Sequence, residues 1–133
     1  MMLKEKALLK DKSSSAMVAV RDRDRARRFY SETLGLEFAQ ERKQVLAFRT
    51  GETQLLVYES EYAGTNKANA VVWDAGGDFD AVVEALRAKG ITFEEYPDMG
   101  MEINGGVHSS DGFKAVWFKD PDGNILHVNN NAM

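Results

Sequence analysis

The chain contains no cysteine. Disulfides, thiolate metal sites and a cysteine nucleophile are therefore excluded. No apolar run approaches the roughly 18 residues needed to span a membrane. The opening "MMLKEKALLKDKSSS" alternates lysines with short apolar pairs and lacks the continuous apolar stretch of a secretion signal, so the expected location is the cytoplasm. No HExxH, GxSxG or zinc-finger spacing occurs, and neither Gly-Gly pair (76–77 and 105–106) is followed by Lys-Ser/Thr, so there is no phosphate loop. A net charge of −4 argues against nucleic acid as a partner. What is present is globular: 44% hydrophobic and 29% charged residues over 133 positions suit one domain with a real core.

The pattern along the chain is written twice. "SAMVAV" reads as a strand, Asp22 or Asp24 caps a helix running to about Thr33, and Ala26, Phe29, Tyr30 and Leu34 form its apolar stripe. Gly35 stops the helix, "LEFAQE" is the next strand, and "QVLAFRTGETQLLVYES" is a hairpin turning at Thr50–Thr53. The second half repeats the plan. Strand Ala70–Trp73 precedes a capping Asp78 and a helix carrying Phe79, Val82, Val83 and Leu86; Gly90 ends it, "ITFEE" begins a strand, and "KAVWFKDPDGNILHV" is a hairpin. Asp22-x-Asp24 matches Asp78-x-Asp80 at an offset of 56, Gly35 and Phe38 match Gly90 and Phe93 at 55, and Phe48-Arg49 matches Phe118-Lys119 at 70. The expected fold is α+β: two βαβββ modules, about 14–60 and 68–130 of a single domain 1–133, with a curved sheet, helices outside and a concave inner face.

The segments "VRDRDRARRFYSETLGLEF", "YAGTN", "DFDAVVEALRAKGITFEEY" and "KAVWFKDPDGNILHV" together resemble the vicinal oxygen chelate superfamily, the glyoxalase, bleomycin-resistance and extradiol-dioxygenase group. The likeness spans about residues 14–130. It implies paired βαβββ modules forming a cup-shaped half-barrel. Enzymes of the group hold a divalent metal there through His, Glu or Gln side chains, other members bind a drug without metal, and many are homodimers.

The resemblance also implies where metal ligands would stand. The first lies seven residues before the helix-cap aspartate, which is Ser15; its counterpart in the second half falls at Asn69. The last lies after G-N-x-x, which is His127, and the offset of 70 gives Val57 in the first half. Only the imidazole is a competent ligand, whereas zinc or iron sites of this kind want three or more His or carboxylate donors. No cofactor is therefore expected. The alternative is a divalent metal at a displaced site using His127 and Glu59, serving a lyase or dioxygenase of the glyoxalase or extradiol type.

Strand alternation supplies the expected pocket wall. With Ser15 inward come Met17 and Ala19; with Asn69 come Val71 and Trp73; with His127 come Ile125 and Asn129; Leu55, Val57 and Glu59 complete it. The candidate ligand-binding residues are thus His127, Trp73, Asn129, Met17, Ser15, Asn69, Val57 and Glu59, around a small organic molecule in a largely apolar cup, in a homodimer. His108, in the Gly-rich "NGGVHSSDG", reads as exposed and inert. "YPDMGM" upstream reads as a loop able to close over a ligand with its methionines. "RDRDRARR" reads as an ion-paired surface and "DPDG" as a turn.

Overall fold

The computed structural model describes residues 8–132; residues 1–7, the first part of the lysine-rich opening, and residue 133 fall outside it. The first module is β1 (Ala16–Val20), α1 (Arg23–Arg28), β2 (Glu37–Arg42), β3 (Val45–Thr50) and β4 (Thr53–Glu59), in sheet order β1-β4-β3-β2. The second is β5 (Asn69–Asp74), α2 (Phe79–Ala88), β6 (Glu102–Asn104), β7 (Val107–Ser110), β8 (Phe113–Lys119) and β9 (Ile125–Asn129), in order β5-β9-β8-β7-β6. In each sheet the opening strand pairs parallel with the closing strand, and the rest is antiparallel. No helix among the described residues is long and apolar enough to cross a membrane.

Local chemistry explains the helices. Asp22 has an extended backbone and accepts the Arg25 N–H, which caps α1. The helix then widens into a π-type turn, where the Leu34 N–H reaches the Phe29 carbonyl five residues back. Asp78 precedes α2 but makes no side-chain cap; a short 3-10 turn at Gly76–Asp78 leads the chain in instead. The stripes Ala26–Tyr30 and Phe79–Val83–Leu86 face one core shared with Val18, Phe48, Leu55, Phe118 and Leu126.

Two expectations for the second module are corrected. "ITFEE" forms no strand; its Phe93 packs on Phe118 as Phe38 packs on Phe48, but the segment shares only the Glu94 N–H to Trp117 carbonyl bond with β8. The pairing on the other half of β8 belongs to β7, because residues 102–110 make a hairpin rather than an open loop. His108 lies in that hairpin and is fully buried, not exposed.

The modules are locked together by the "DPDGN" turn. Asp120 is buried and its carboxylate takes four hydrogen bonds: Tyr30 O–H at 2.7 Å, the Asp122 and Asn124 N–H groups at 2.9 Å each, and Asn124 Nδ2 at 2.8 Å. Asn124 Nδ2 also reaches the Ala19 carbonyl of β1 at 2.7 Å. Asp122 Oδ1 accepts from the Arg21 N–H and from Arg25 Nη2. Burial and the adjacent Asp120 carboxylate raise the pKa of the Tyr30 phenol, keeping it a donor. "YAGTN" meets the same turn: a Cβ on Gly64 would lie 1.9 Å from the Asp122 carbonyl oxygen, and its φ is +73°.

Gly64→Ala should therefore cost about 3 kcal/mol, from clash plus left-handed strain. Gly35→Ala, with φ +77° but nothing within 4 Å of the new Cβ, should cost about 1 kcal/mol. Urea denaturation of the two variants measures the difference, and equal costs would contradict the close approach.

Candidate functional site

Face assignment follows from register. On β9, Leu126 and Val128 enter the core, so Ile125, His127 and Asn129 point to the opposite, inner face. Their cross-strand partners Lys119, Trp117 and Ala115 share that face, and His108 pairs with Ala115 beyond them. The residues at its centre form an aromatic stack. His127 lies flat on Trp117, with centroids 4.6 Å apart and planes at 20°. His108 and Tyr96 meet Trp117 edge-on at 4.9 and 5.5 Å.

Both imidazoles are placed as acceptors at Nε2. The His127 Nδ1 lies 3.2 Å from the Val116 carbonyl, which can only accept, so Nδ1 carries the proton. Nε2 then accepts from Asn129 Nδ2 at 3.2 Å. The amide orientation is set in turn by the Asn131 N–H, which donates to Asn129 Oδ1 at 3.0 Å. Burial lowers the His127 pKa, opposed by the Val116 bond and by Asp74. In the same manner His108 Nδ1 faces the Gly106 carbonyl, and its Nε2 accepts the Tyr96 N–H at 2.9 Å.

Over this stack lies a cavity of about 530 Å³ lined by Asn69, Tyr96, Trp117 and Ile125, with Lys67, Glu95 and Asp98 at its rim and the Pro97–Met99 turn along one wall. Asn69 Oδ1 accepts the Trp117 indole N–H at 3.1 Å. Burial and the neighbouring Glu94 raise the Tyr96 pKa, so its phenol is neutral here. The "YPDMGM" segment thus borders a cavity, with Met99 half-exposed on it.

Of the eight residues expected at the pocket, Asn69 lines this cavity, and His127 and Asn129 lie behind Trp117. Met17 is on the inner face of β1, 54% exposed, and Ser15 lies just outside the strand; both are away from this cavity, Ser15 lining a groove between the modules. Three placements are corrected. Val57 is fully buried in the core, because Phe48 pairs with Leu55 whereas Phe118 pairs with Leu126: the offset of 70 on one strand becomes 71 on the next. The counterpart of His127 is therefore Leu56, and Leu55 also belongs to the core. Glu59 shares Val57's side, where it bonds the Arg23 N–H and Nε at 3.3 and 3.2 Å, next to the Arg23–Glu41 ion pair. Trp73 also faces the helices. A bulge at Ala70 shifts the register so that Val72, not Trp73, stands beside His127, and the Trp73 indole N–H reaches Thr50 Oγ1 at 2.9 Å. Val71 turns to the core with it.

Trp117, Lys67 and Glu95 are the site residues that the sequence pattern does not single out, and Tyr96 enters it only as the first residue of "YPDMGM". Trp117 sits in the run "AVWF", which carries no alternation to tell its face. The Trp117–Asn69 and Tyr96–His108 bonds join residues too far apart in sequence for any motif to link them.

The metal positions that the resemblance implies do not fit a metal. Ser15, Leu56, Asn69 and His127 supply one strong donor, and its Nε2 lone pair is engaged by Asn129. The displaced pair His127 and Glu59 lies on opposite faces of the fold. Among the described residues no group of three or more His, Cys, Asp or Glu side chains gathers to hold an ion.

A family model described as the Glyoxalase/Bleomycin resistance protein/Dioxygenase superfamily matches residues 12–128. Solved structures share the fold over most of their length. The fosfomycin resistance protein FosX from Listeria monocytogenes is 11% identical with a TM-score of 0.69, covering 91% of this chain and 93% of that one. A lactoylglutathione lyase from Agrobacterium tumefaciens is 21% identical, with a TM-score of 0.65 over 90% and 92%. A glyoxalase/bleomycin resistance protein/dioxygenase from Alicyclobacillus acidocaldarius is 17% identical, with a TM-score of 0.67 over 90% of each chain.

The lowered His127 pKa has a stability consequence. Below the ordinary value of 6.5 the unfolded chain takes up a proton that the folded chain refuses, so stability falls as pH drops from 6.5 towards the folded value. Urea denaturation at pH 7.5 and 5.5 should show a larger acid loss for the native chain than for His127→Asn. An equal loss would mean that the imidazole charges freely in the folded state.

Proposed function

Because the chain belongs to the glyoxalase/bleomycin resistance protein/dioxygenase superfamily, we propose that it binds a small organic molecule in the cavity over Trp117 without a resident metal ion. The observation carrying this reading is the state of His127. The one imidazole at a family ligand position has both nitrogens committed, Nδ1 to Val116 and Nε2 to Asn129, and among the described residues no carboxylate bonds to it. The cavity has the size and lining of a small-molecule pocket: aromatic and aliphatic walls, one side-chain amide, and three charges at the rim. The working form in this reading is a cytoplasmic homodimer. Met17 and Val72, each about half-exposed on the inner edge strands, support a second copy covering that face.

Metal analysis of protein purified without chelator should find far less than one ion per chain. Stoichiometric zinc, nickel, manganese or iron, lost in His127→Ala, would establish the metal-dependent lyase or dioxygenase reading instead. A fragment panel read by thermal shift should give hits that vanish in Ile125→Trp, which fills the cavity; hits unaffected by that change would place binding elsewhere. Light scattering should give twice the chain mass, and a monomer would overturn the dimer.

A further inference from the structure

The bulge at Ala70 does more than turn Trp73 away from the inner face. It sets the indole against the helix side, at the seam between the modules, where it borders a second cavity. This cavity, about 270 Å³ and open to solvent on one side, is lined by Leu34 and Leu36 after α1, Val82 and Leu86 of α2, and Trp73 and Phe118 of the second sheet. It lies across the sheet from Trp117 and shares no lining residue with the cavity over it.

A closed apolar cavity of about 150 Å³ takes up benzene, so an open apolar pocket of about 270 Å³ has room for one or two rings. The indole donor on its wall is already met, because the Trp73 N–H is spent on Thr50 Oγ1. Nothing else on its walls but Asp74, at the end of β5, carries charge, so an anion has no counterpart there. Thr50, Trp73 and Asp74 also line a groove of about 770 Å³ that runs between β1 and β5, which gives a route in. The Trp73–Thr50 bond stands where the two spaces meet.

We propose that this helix-side cavity is a second binding site, for an uncharged planar aromatic or alicyclic molecule of one or two rings, entered along the seam between the modules. The site is independent of the cavity over Trp117 and does not rest on the metal-free reading. An apolar body removes these partly exposed apolar walls from water and slots between the Trp73 indole and the aliphatic side chains of α2.

The probe is indole, titrated into 15N-labelled protein. The chain has two tryptophans, and their indole N–H resonances are assigned with Trp73→Phe and Trp117→Phe. Indole should shift the Trp73 resonance saturably and leave that of Trp117 in place. Val82→Trp, which fills the cavity from its partly exposed wall, should weaken the effect at least ten-fold; Leu34→Phe is the second filling variant should the first not fold. No saturable shift at Trp73, a shift confined to Trp117, or undiminished affinity in the folded filling variant would each overturn the proposal. Displacement of indole by neutral naphthol but not by naphthoate would confirm the preference for an uncharged ring.

Discussion

The buried Asp120 carboxylate is the point on which the two halves of this molecule turn. A carboxylate removed from water is costly unless its lone pairs are met. Here each oxygen takes two donors, one pair from the backbone of its own turn, the other from Tyr30 and Asn124. One of those donors comes from the first module and another continues to the β1 carbonyl of Ala19. The ion is therefore satisfied only when both modules are in place. This is a stronger constraint than the apolar core they share, because apolar contacts tolerate repacking and a buried charge does not.

The same turn fixes the start of β9 and hence which residues reach the inner face. His127, three residues beyond Asn124, arrives stacked on Trp117 with its tautomer set by Val116 and Asn129. Trp117 in turn orients Asn69, and His108 holds the backbone of Tyr96 at the edge of the cavity. The chain of support runs from a structural ion to a pocket wall, through hydrogen bonds of ordinary length and one ring stack, His127 on Trp117. The histidine's place in that chain is to hold an aromatic surface, which a neutral imidazole does well.

How much of this could be read from the sequence follows a physical division. The modules, helices and hairpin at Thr50–Thr53 were legible because they rest on local signals: turn residues, caps and apolar spacing. Facing was not. Alternation carries a single bit of information per strand, and one extra residue inverts it. The bulge at Ala70 inverted Trp73, and one added residue in the β8–β9 hairpin sent Val57 and Glu59 to the helix side. His108 was misread for another reason. A histidine among glycines and serines looks like a loop, and only the pairing of β7 with β8 shows that it is core.

The interlock has a bearing on what the internal repeat has become. The first module's hairpin closes on the two residues Gly51 and Glu52, while the second closes on the acidic turn that grips its neighbour. Two copies of one plan have thus specialised into a socket and a plug. Neither can reach its own low-energy state alone, since Tyr30, Ala19 and Gly64 wait in one half for groups of the other. Such a chain should melt as one cooperative unit, in a single transition, although its sequence reads as two.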